Sequence, residues 1–105
     1  MTAQDFITSL PSKVNPAAVA GMSTIFHFDL AGDGGGQYTL KVDDGQVSVT
    51  PGLEGEARCK VSAKAEHLVG VVTGDINPMM AVLTGKIKVS NQGELIKYAK
   101  VLGLM

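Results

Sequence analysis

The stretch that decides the fold covers residues 75–93 and reads DINPMMAVLTGKIKVSNQG. Its Asn77-Pro78 pair predicts a helix start, because an Asn side chain caps the first backbone N–H groups and Pro leaves no N–H unpaired there. Three apolar side chains then recur at helical spacing and share one face: Met79, Val82 and Leu83. We therefore expect a short amphipathic helix directly after this cap.

A strand and a last helix follow the short helix. Gly85 is typical of a helix end, and the alternation of polar and apolar residues over 86–89 predicts a strand with one wet face. After Gly93, one face of the predicted last helix carries Leu95, Tyr98, Ala99 and Leu102. The stretch contains no set of metal ligands, so any function that it has is apolar.

Composition restricts the class of protein. The chain has 105 residues, 45% of them hydrophobic and none of them Trp, so we expect one domain over residues 1–105 with an aliphatic and methionine-rich core. The net charge is −1 and the basic residues are spread along the chain, which argues against a nucleic-acid partner. The single cysteine, Cys59, excludes an internal disulfide and favours a reducing compartment. With neither a signal peptide nor a membrane-spanning run visible, we predict a cytoplasmic protein without stable membrane insertion.

The remaining elements each carry one apolar face. Alternation predicts three strands over residues 24–50 and a fourth near 57–62, and Asp44-Gly45 predicts a two-residue hairpin turn that opposes Val42 to Val47. A first helix is expected to begin at Thr2 and end at Pro11. Another helix carries its apolar face on Ala65, Leu68, Val69 and Val72. These faces predict an α/β (α+β) protein of two layers: a five-stranded sheet, helices on one side and solvent on the other.

Two histidines are the first candidates for chemistry. His27 lies on the predicted polar face of a strand and His67 lies near a helix start, and no Cys or acid has metal-ligand spacing to either. The glycine loop at residues 32–36 lacks the Lys-Ser/Thr pair of a phosphate-binding loop. We therefore expect no catalytic residue, no metal, no cofactor and no enzymatic activity.

The apolar side chains of the last two helices allow two interpretations, core or cavity wall. The residues concerned are Met79, Met80, Leu83, Leu95, Ile96 and Leu102. Met79 and Met80 are adjacent and cannot point the same way, and a flexible Met side chain suits a cavity whose contents vary. Periodicity alone leaves both interpretations open.

The motif over residues 73–89 resembles that of the sterol carrier protein-2 family of lipid-binding domains. The matching residues are Thr73, Gly74, Asn77, Pro78, Ala81, Val82 and Leu83, followed by Gly85-Lys86-Ile87-Lys88-Val89. The upstream order of helix, three strands, tight turn and fourth strand also follows the family. The run over residues 91–98 departs from the family pattern.

The resemblance implies a mixed, mainly antiparallel sheet with an apolar cavity between sheet and helices. It implies a non-enzymatic lipid carrier whose partner is a small apolar ligand: a fatty acid, a fatty acyl-CoA or a sterol. The residues then expected to line the cavity are Phe26, Phe28, Leu68, Val72, Met79, Met80, Leu83, Leu95, Ile96 and Leu102. The alternative is a protein-interaction or homodimerisation module of the same fold, with the cavity filled by its own side chains.

Overall fold

The computed structural model of the protein describes residues 2–102. Helices and strands follow one another in the predicted order. The elements are α1 (Ala3–Lys13), a 3₁₀ turn (Pro16–Val19), β1 (Ser23–Ala31), β2 (Gly36–Asp43), β3 (Gln46–Pro51), β4 (Cys59–Lys64), α2 (Ala65–Thr73), α3 (Pro78–Leu83), β5 (Ile87–Val89) and α4 (Gln92–Ala99).

The strands form one sheet in the order β3-β2-β1-β4-β5. The β1–β4 pair is parallel and the other pairs are antiparallel, which confirms the predicted mixed, mainly antiparallel, five-stranded sheet. In the β2–β3 hairpin Val42 lies opposite Val47, as the two-residue turn requires. Asp44 and Gly45 have φ angles of 43° and 86°, the left-handed pair that such a turn needs.

Side-chain caps start the helices where the sequence predicts them. Thr2 Oγ1 accepts a hydrogen bond from the Asp5 backbone N–H at 3.0 Å. Asn77 Oδ1 accepts from the backbone N–H groups of Met79 and Met80 at 2.9 and 3.2 Å. These bonds satisfy donors that have no partner within the helix, so the caps define both starts.

The predicted end of α1 at Pro11 is wrong. The helix continues to Lys13, and the Val14 N–H still donates to the Leu10 carbonyl at 2.9 Å. Proline removes its own donor, but the residues after it keep theirs. A proline this close to a helix end therefore costs one bond without ending the helix.

The core lies between the sheet and the helices. The Phe26 ring is fully buried; it stacks on Phe28 with 6.2 Å between centroids and meets the Tyr98 ring edge-on at 5.5 Å. The predicted apolar face of α2 is correct in part: Ala65 and Leu68 are buried, Val69 and Val72 are only half-buried against the core, and the unpredicted Val71 is buried. The reason lies at Gly70, since a Cβ atom there would lie 2.6 Å from Ile76 Cδ1. Ile76, in the segment after α2, therefore packs directly against Gly70, which has no side chain.

The second face of the sheet is not simply open to solvent. The loop over residues 52–58 crosses it, and the Thr39 hydroxyl both donates to the Gly52 carbonyl and accepts from the Glu54 N–H, each at 2.8 Å. His27, which the sequence places on the polar and therefore solvent-facing side of a strand, is instead buried beneath this loop, where its Nε2 donates to the Glu54 carbonyl at 2.8 Å. Polar strand residues can be buried in this way because the loop backbone supplies their hydrogen-bond partners.

Candidate functional site

An apolar pocket lies above the β4–β5 edge of the sheet, where α2, α3 and α4 come together. Its volume is about 130 Å³, and it is partly open to solvent. The lining residues are Val61, Leu68, Val71, Pro78, Met79, Val82, Leu83, Ile87, Gln92, Leu95, Ile96 and Ala99. All of these except Gln92 are apolar, so the pocket suits an aliphatic group.

The floor and the mouth of the pocket differ in burial. Floor residues such as Leu68, Val71 and Ala99 are buried, whereas Met79, Leu83 and Ile96 are exposed at the mouth. In α3 the buried residue is Ala81, two positions from both Met79 and Leu83. Because two positions correspond to about 200° around a helix, burial of Ala81 turns those longer side chains away from the core.

The first turn of α4 is bonded to the sheet by one side chain and capped by another. Thr24 Oγ1 of β1 donates to Glu94 Oε2 at 2.8 Å, and Asn91 Oδ1 accepts from the Glu94 N–H at 3.1 Å. Tyr98 then fills the core one turn later. These contacts place Leu95 half-buried in the pocket wall.

The structure brings five of the ten residues predicted as cavity lining to this pocket: Leu68, Met79, Leu83, Leu95 and Ile96. It places Phe26, Phe28 and Leu102 in the closely packed core instead. Val72 is half-buried and Met80 is exposed, and neither lines the pocket. Ring stacking within the core explains the position of the phenylalanines, since Phe26 contacts Phe28 and Tyr98.

Seven lining residues were not predicted as such: Val61, Val71, Pro78, Val82, Ile87, Gln92 and Ala99. Helical spacing was the available signal for several of them, because Val71 follows Leu68 by three positions and Ala99 follows Leu95 by four. Gln92 carries no such signal. As the one polar side chain of the lining, it can donate or accept a hydrogen bond at the rim.

Two buried titratable groups, Cys59 of β4 and Tyr98 of α4, lie between α4 and the sheet. Burial raises the pKa of the Cys59 thiol above its ordinary 9.0, and a backbone hydrogen bond with Asn91 offsets only part of this rise. Burial, followed by the charge of Glu94, raises the pKa of the Tyr98 hydroxyl above its ordinary 10.0. The Tyr98 hydroxyl has no hydrogen-bond partner within the described part of the chain. Both groups are therefore neutral at pH 7 and serve as core residues.

Alkaline pH should destabilise the fold through these groups. Because both pKa values are higher in the folded protein than in the unfolded chain, the folded state holds more protons and stability falls as pH rises above about 9. We expect urea unfolding to show a lower midpoint at pH 10 than at pH 8, with a smaller decrease for Cys59→Ala. Equal midpoints for the native protein at the two pH values would contradict this prediction.

His27 and His67 bond to different backbone carbonyls, those of Glu54 and Lys86. Over residues 2–102, no group of three or more His, Cys, Asp or Glu side chains could hold a metal ion. Over the same residues, no helix is long and apolar enough to cross a membrane. The pocket is thus the feature on which a functional argument can rest.

Comparison with known sequences identifies related proteins. A family model described as the SCP-2 sterol transfer family matches residues 4–103. Hydroxysteroid dehydrogenase-like protein 2 of Xenopus tropicalis is 30% identical over 104 residues, which are 97% of this chain and 25% of that protein. Sterol carrier protein 2 of Bos taurus is 35% identical over 77 residues, which are 70% of this chain and 14% of that protein. The chain therefore spans a quarter or less of the length of these relatives.

Solved structures show the same fold at low sequence identity. The solution structure of palmitated SCP2L2 from Aedes aegypti has a TM-score of 0.72 and 20% identity, with 97% of this chain and 95% of that one covered. The stereoselective inverting sec-alkylsulfatase of Pseudomonas sp. has a TM-score of 0.79 and 17% identity, with 100% of this chain and 16% of the sulfatase chain covered. The fold thus occurs both nearly alone and as a part of larger proteins.

Proposed function

Since this chain belongs to the SCP-2 sterol transfer family, we propose that it binds a fatty acid, a fatty acyl-CoA or a sterol-like lipid and transfers it without catalysing a reaction. In this proposal the ligand occupies an apolar tunnel that extends the pocket between the sheet and helices α2, α3 and α4. The observation that carries the proposal is the lining, in which every residue except Gln92 is apolar. The buried free thiol of Cys59 fits our further proposal of a cytoplasmic location.

An aliphatic chain is the ligand that the lining favours. Burial of a sixteen-carbon chain contributes up to about 12 kcal/mol at about 0.8 kcal/mol per methylene, before the costs of association reduce it. Micromolar or tighter binding is therefore within reach. The palmitated state of the Aedes aegypti neighbour supports a fatty acid as the first ligand to test.

The pocket must widen to admit such a ligand. Its 130 Å³ is below the range of about 300–1,000 Å³ that ligand sites usually have. The six-residue helix α3 is held by a single buried residue, Ala81, and leaves Met79 and Leu83 exposed. Separation of α3 from α4 would therefore break few buried contacts. Of the ten residues predicted from the sequence to line a cavity, we propose that five contact the ligand: Leu68, Met79, Leu83, Leu95 and Ile96.

The experiment is a fluorescent fatty-acid titration of delipidated protein with cis-parinaric acid, followed by displacement with palmitate, cholesterol and palmitoyl-CoA. We expect saturable binding at micromolar or lower concentration. In a Val82→Phe variant the new ring should fill the pocket and weaken binding at least about tenfold, whereas Leu53→Phe, on the far loop, should leave it unchanged. Fluorescence no higher than with an unrelated control protein would refute lipid binding.

The alternative is an interaction or dimerisation module whose pocket is closed by its own side chains. It is favoured by one observation, namely that the chain matches a quarter or less of relatives such as the dehydrogenase-like protein. The domain could then bring a neighbouring enzyme to its partner. Mass spectrometry of lipids extracted from the gently purified protein separates the two proposals, because the module should carry no lipid in stoichiometric amount.

A further inference from the structure

The two edges of the sheet differ in how they are protected against pairing with another chain. Strand β5 has three residues, and two exposed lysines lie directly before it and within it, Lys86 and Lys88. Short edge strands and lysines are ordinary means of preventing such pairing. Strand β3 has six residues, and residues 45–53 read GQVSVTPGL without a charged side chain. Apart from Pro51 at its end, β3 carries none of the residues that usually prevent pairing.

The hairpin register shows which backbone groups of β3 point away from the sheet. The two-residue turn directs the N–H and C=O groups of residues 46, 48 and 50 toward β2. The Gly52 N–H continues this series, since it donates to the Gln37 carbonyl at 2.8 Å. The N–H and C=O groups of Val47 and Val49 therefore point outward, and within residues 2–102 they have no hydrogen-bond partner.

We propose that the β3 edge pairs with the β3 edge of a second copy of this chain, antiparallel and about a two-fold axis at Ser48. In this register Val47 of each copy lies opposite Val49 of the other, and each such pair exchanges two backbone hydrogen bonds. Pro51, which has no N–H to donate, stays outside the paired segment. A shift of the axis by one residue would oppose a valine to Pro51 or to Gly45, whose N–H is already bonded.

The side chains of β3 match one another across this axis. Val47 and Val49 are half-buried on the helix face of the sheet, and pairing places each valine beside a valine of the second copy. On the outer face, exposed Gln46 meets Thr50, and the two exposed Ser48 side chains meet each other. Apolar groups therefore meet apolar groups, and uncharged polar groups meet uncharged polar groups.

The nearest charged side chains do not oppose the pairing. Lys41 lies opposite Ser48 in β2, so the two copies of Lys41 are three strand spacings apart, about 14 Å. This separation exceeds the Debye length of about 8 Å. On the helix side α1 contacts β3, with Asp5 in its first turn and Lys13 in its last turn. The two-fold axis reverses the second α1, which directs Asp5 of each copy toward Lys13 of the other.

The paired edge lies far from the apolar pocket. The strand order β3-β2-β1-β4-β5 places β3 at one edge of the sheet, whereas the pocket lies above the opposite, β4–β5 edge. Pairing therefore leaves both pockets open and does not depend on the proposed lipid binding. Because the paired segment covers only residues 46–50, the interface is small, and we expect a reversible dimer that forms at high protein concentration.

The test is amide hydrogen exchange measured by NMR at about 50 µM and about 1 mM protein. We expect exchange at Val47 and Val49 to slow at least about threefold at the higher concentration, because pairing occupies their N–H groups. The Ser48 and Thr50 amides, which already bond to β2, should exchange slowly at both concentrations. Over the same range, sedimentation should show the mass rising from 10.9 kDa toward twice that value.

A lysine at the centre of the axis should prevent pairing. Ser48→Lys places two cations directly opposite each other, so its mass should stay that of the monomer at both concentrations. Ser48→Thr keeps an uncharged side chain and should dimerise like the native protein. Gln37→Lys is the matched control, because Gln37 is exposed on β2 and does not lie at the edge, and it should also dimerise. Circular dichroism at low concentration should give each variant the native melting temperature.

The proposal is overturned if the native protein remains a monomer at about 1 mM. It is also overturned by a dimer in which Val47 and Val49 exchange at the rate of the monomer, because a different surface then forms the interface. Equal loss of the dimer in Gln37→Lys and Ser48→Lys has the same consequence. The cis-parinaric acid titration of Ser48→Lys should give the native affinity, so edge pairing and lipid binding are tested separately.

Discussion

A Leu95→Glu variant is expected to lose lipid affinity by at least about 100-fold while it remains folded. Leu95 lines the pocket yet is only half-buried, so in the empty protein the new carboxylate can still reach water. A bound aliphatic chain would remove that water and leave the charge unpaired in apolar surroundings, which is strongly unfavourable. The loss of fold stability should be smaller, about 1–2 kcal/mol, as for many single substitutions.

The measurement compares fatty-acid affinity with the free energy of urea unfolding for the same preparation. Leu95→Met is the conservative variant and should keep both values near those of the native protein. Leu53→Glu introduces the same charge at an exposed leucine far from the pocket and should change neither. If Leu95→Glu lowers affinity only in proportion to the fraction unfolded, Leu95 belongs to the core and the pocket is not the ligand site.

A Phe26→Ala variant is expected to show the opposite behaviour, with a large loss of stability and little specific effect on binding. The Phe26 ring is fully buried between Phe28 and Tyr98. Truncation of a buried phenylalanine costs about 3–5 kcal/mol, which is a large part of the roughly 5–15 kcal/mol that stabilises a small domain. A decrease in melting temperature of at least about 12 °C follows from about 4–8 °C per kcal/mol for a domain of this size.

Thermal unfolding followed by circular dichroism tests the stability of this variant. The fatty-acid titration is then performed well below its melting temperature, where the folded fraction is known. Affinity per folded molecule should match that of the native protein, because Phe26 does not line the pocket. Native stability together with lost binding would contradict this expectation and would show that Phe26 contacts the lipid, as the sequence predicted.

The helix caps, strands and hairpin were predictable because their signals are local. Asn77 and Pro78 act on the next few backbone groups, and the structure shows the two hydrogen bonds that the cap predicts. Asp44-Gly45 determines the register of the hairpin, since a slip by one residue would move every side chain to the other face. Even the wrong end of α1 at Pro11 differs from the structure by only two residues, about half a turn.

The pocket was predictable only in part, because periodicity identifies an apolar face without showing what that face contacts. Phe26 and Leu68 each lie on the apolar face of a predicted element, yet Phe26 packs in the core and Leu68 lines the pocket. In α2 the missing side chain of Gly70 admits Ile76, and Val71 rather than Val72 is buried. Which apolar side chain is buried and which lines the pocket depends on contacts between elements, so the pattern within a single element cannot predict it.

The sequence by itself determined the elements, the hairpin register, the one-sided apolar pattern of the sheet and the family motif over residues 73–89. Only the tertiary structure decided that the loop over residues 52–58 covers His27, and that Met79, Leu83 and Ile96 surround one pocket mouth. The reason is the range of the interactions. Caps and turns form between neighbouring residues, whereas a pocket exists only where helices distant in sequence leave space between their side chains.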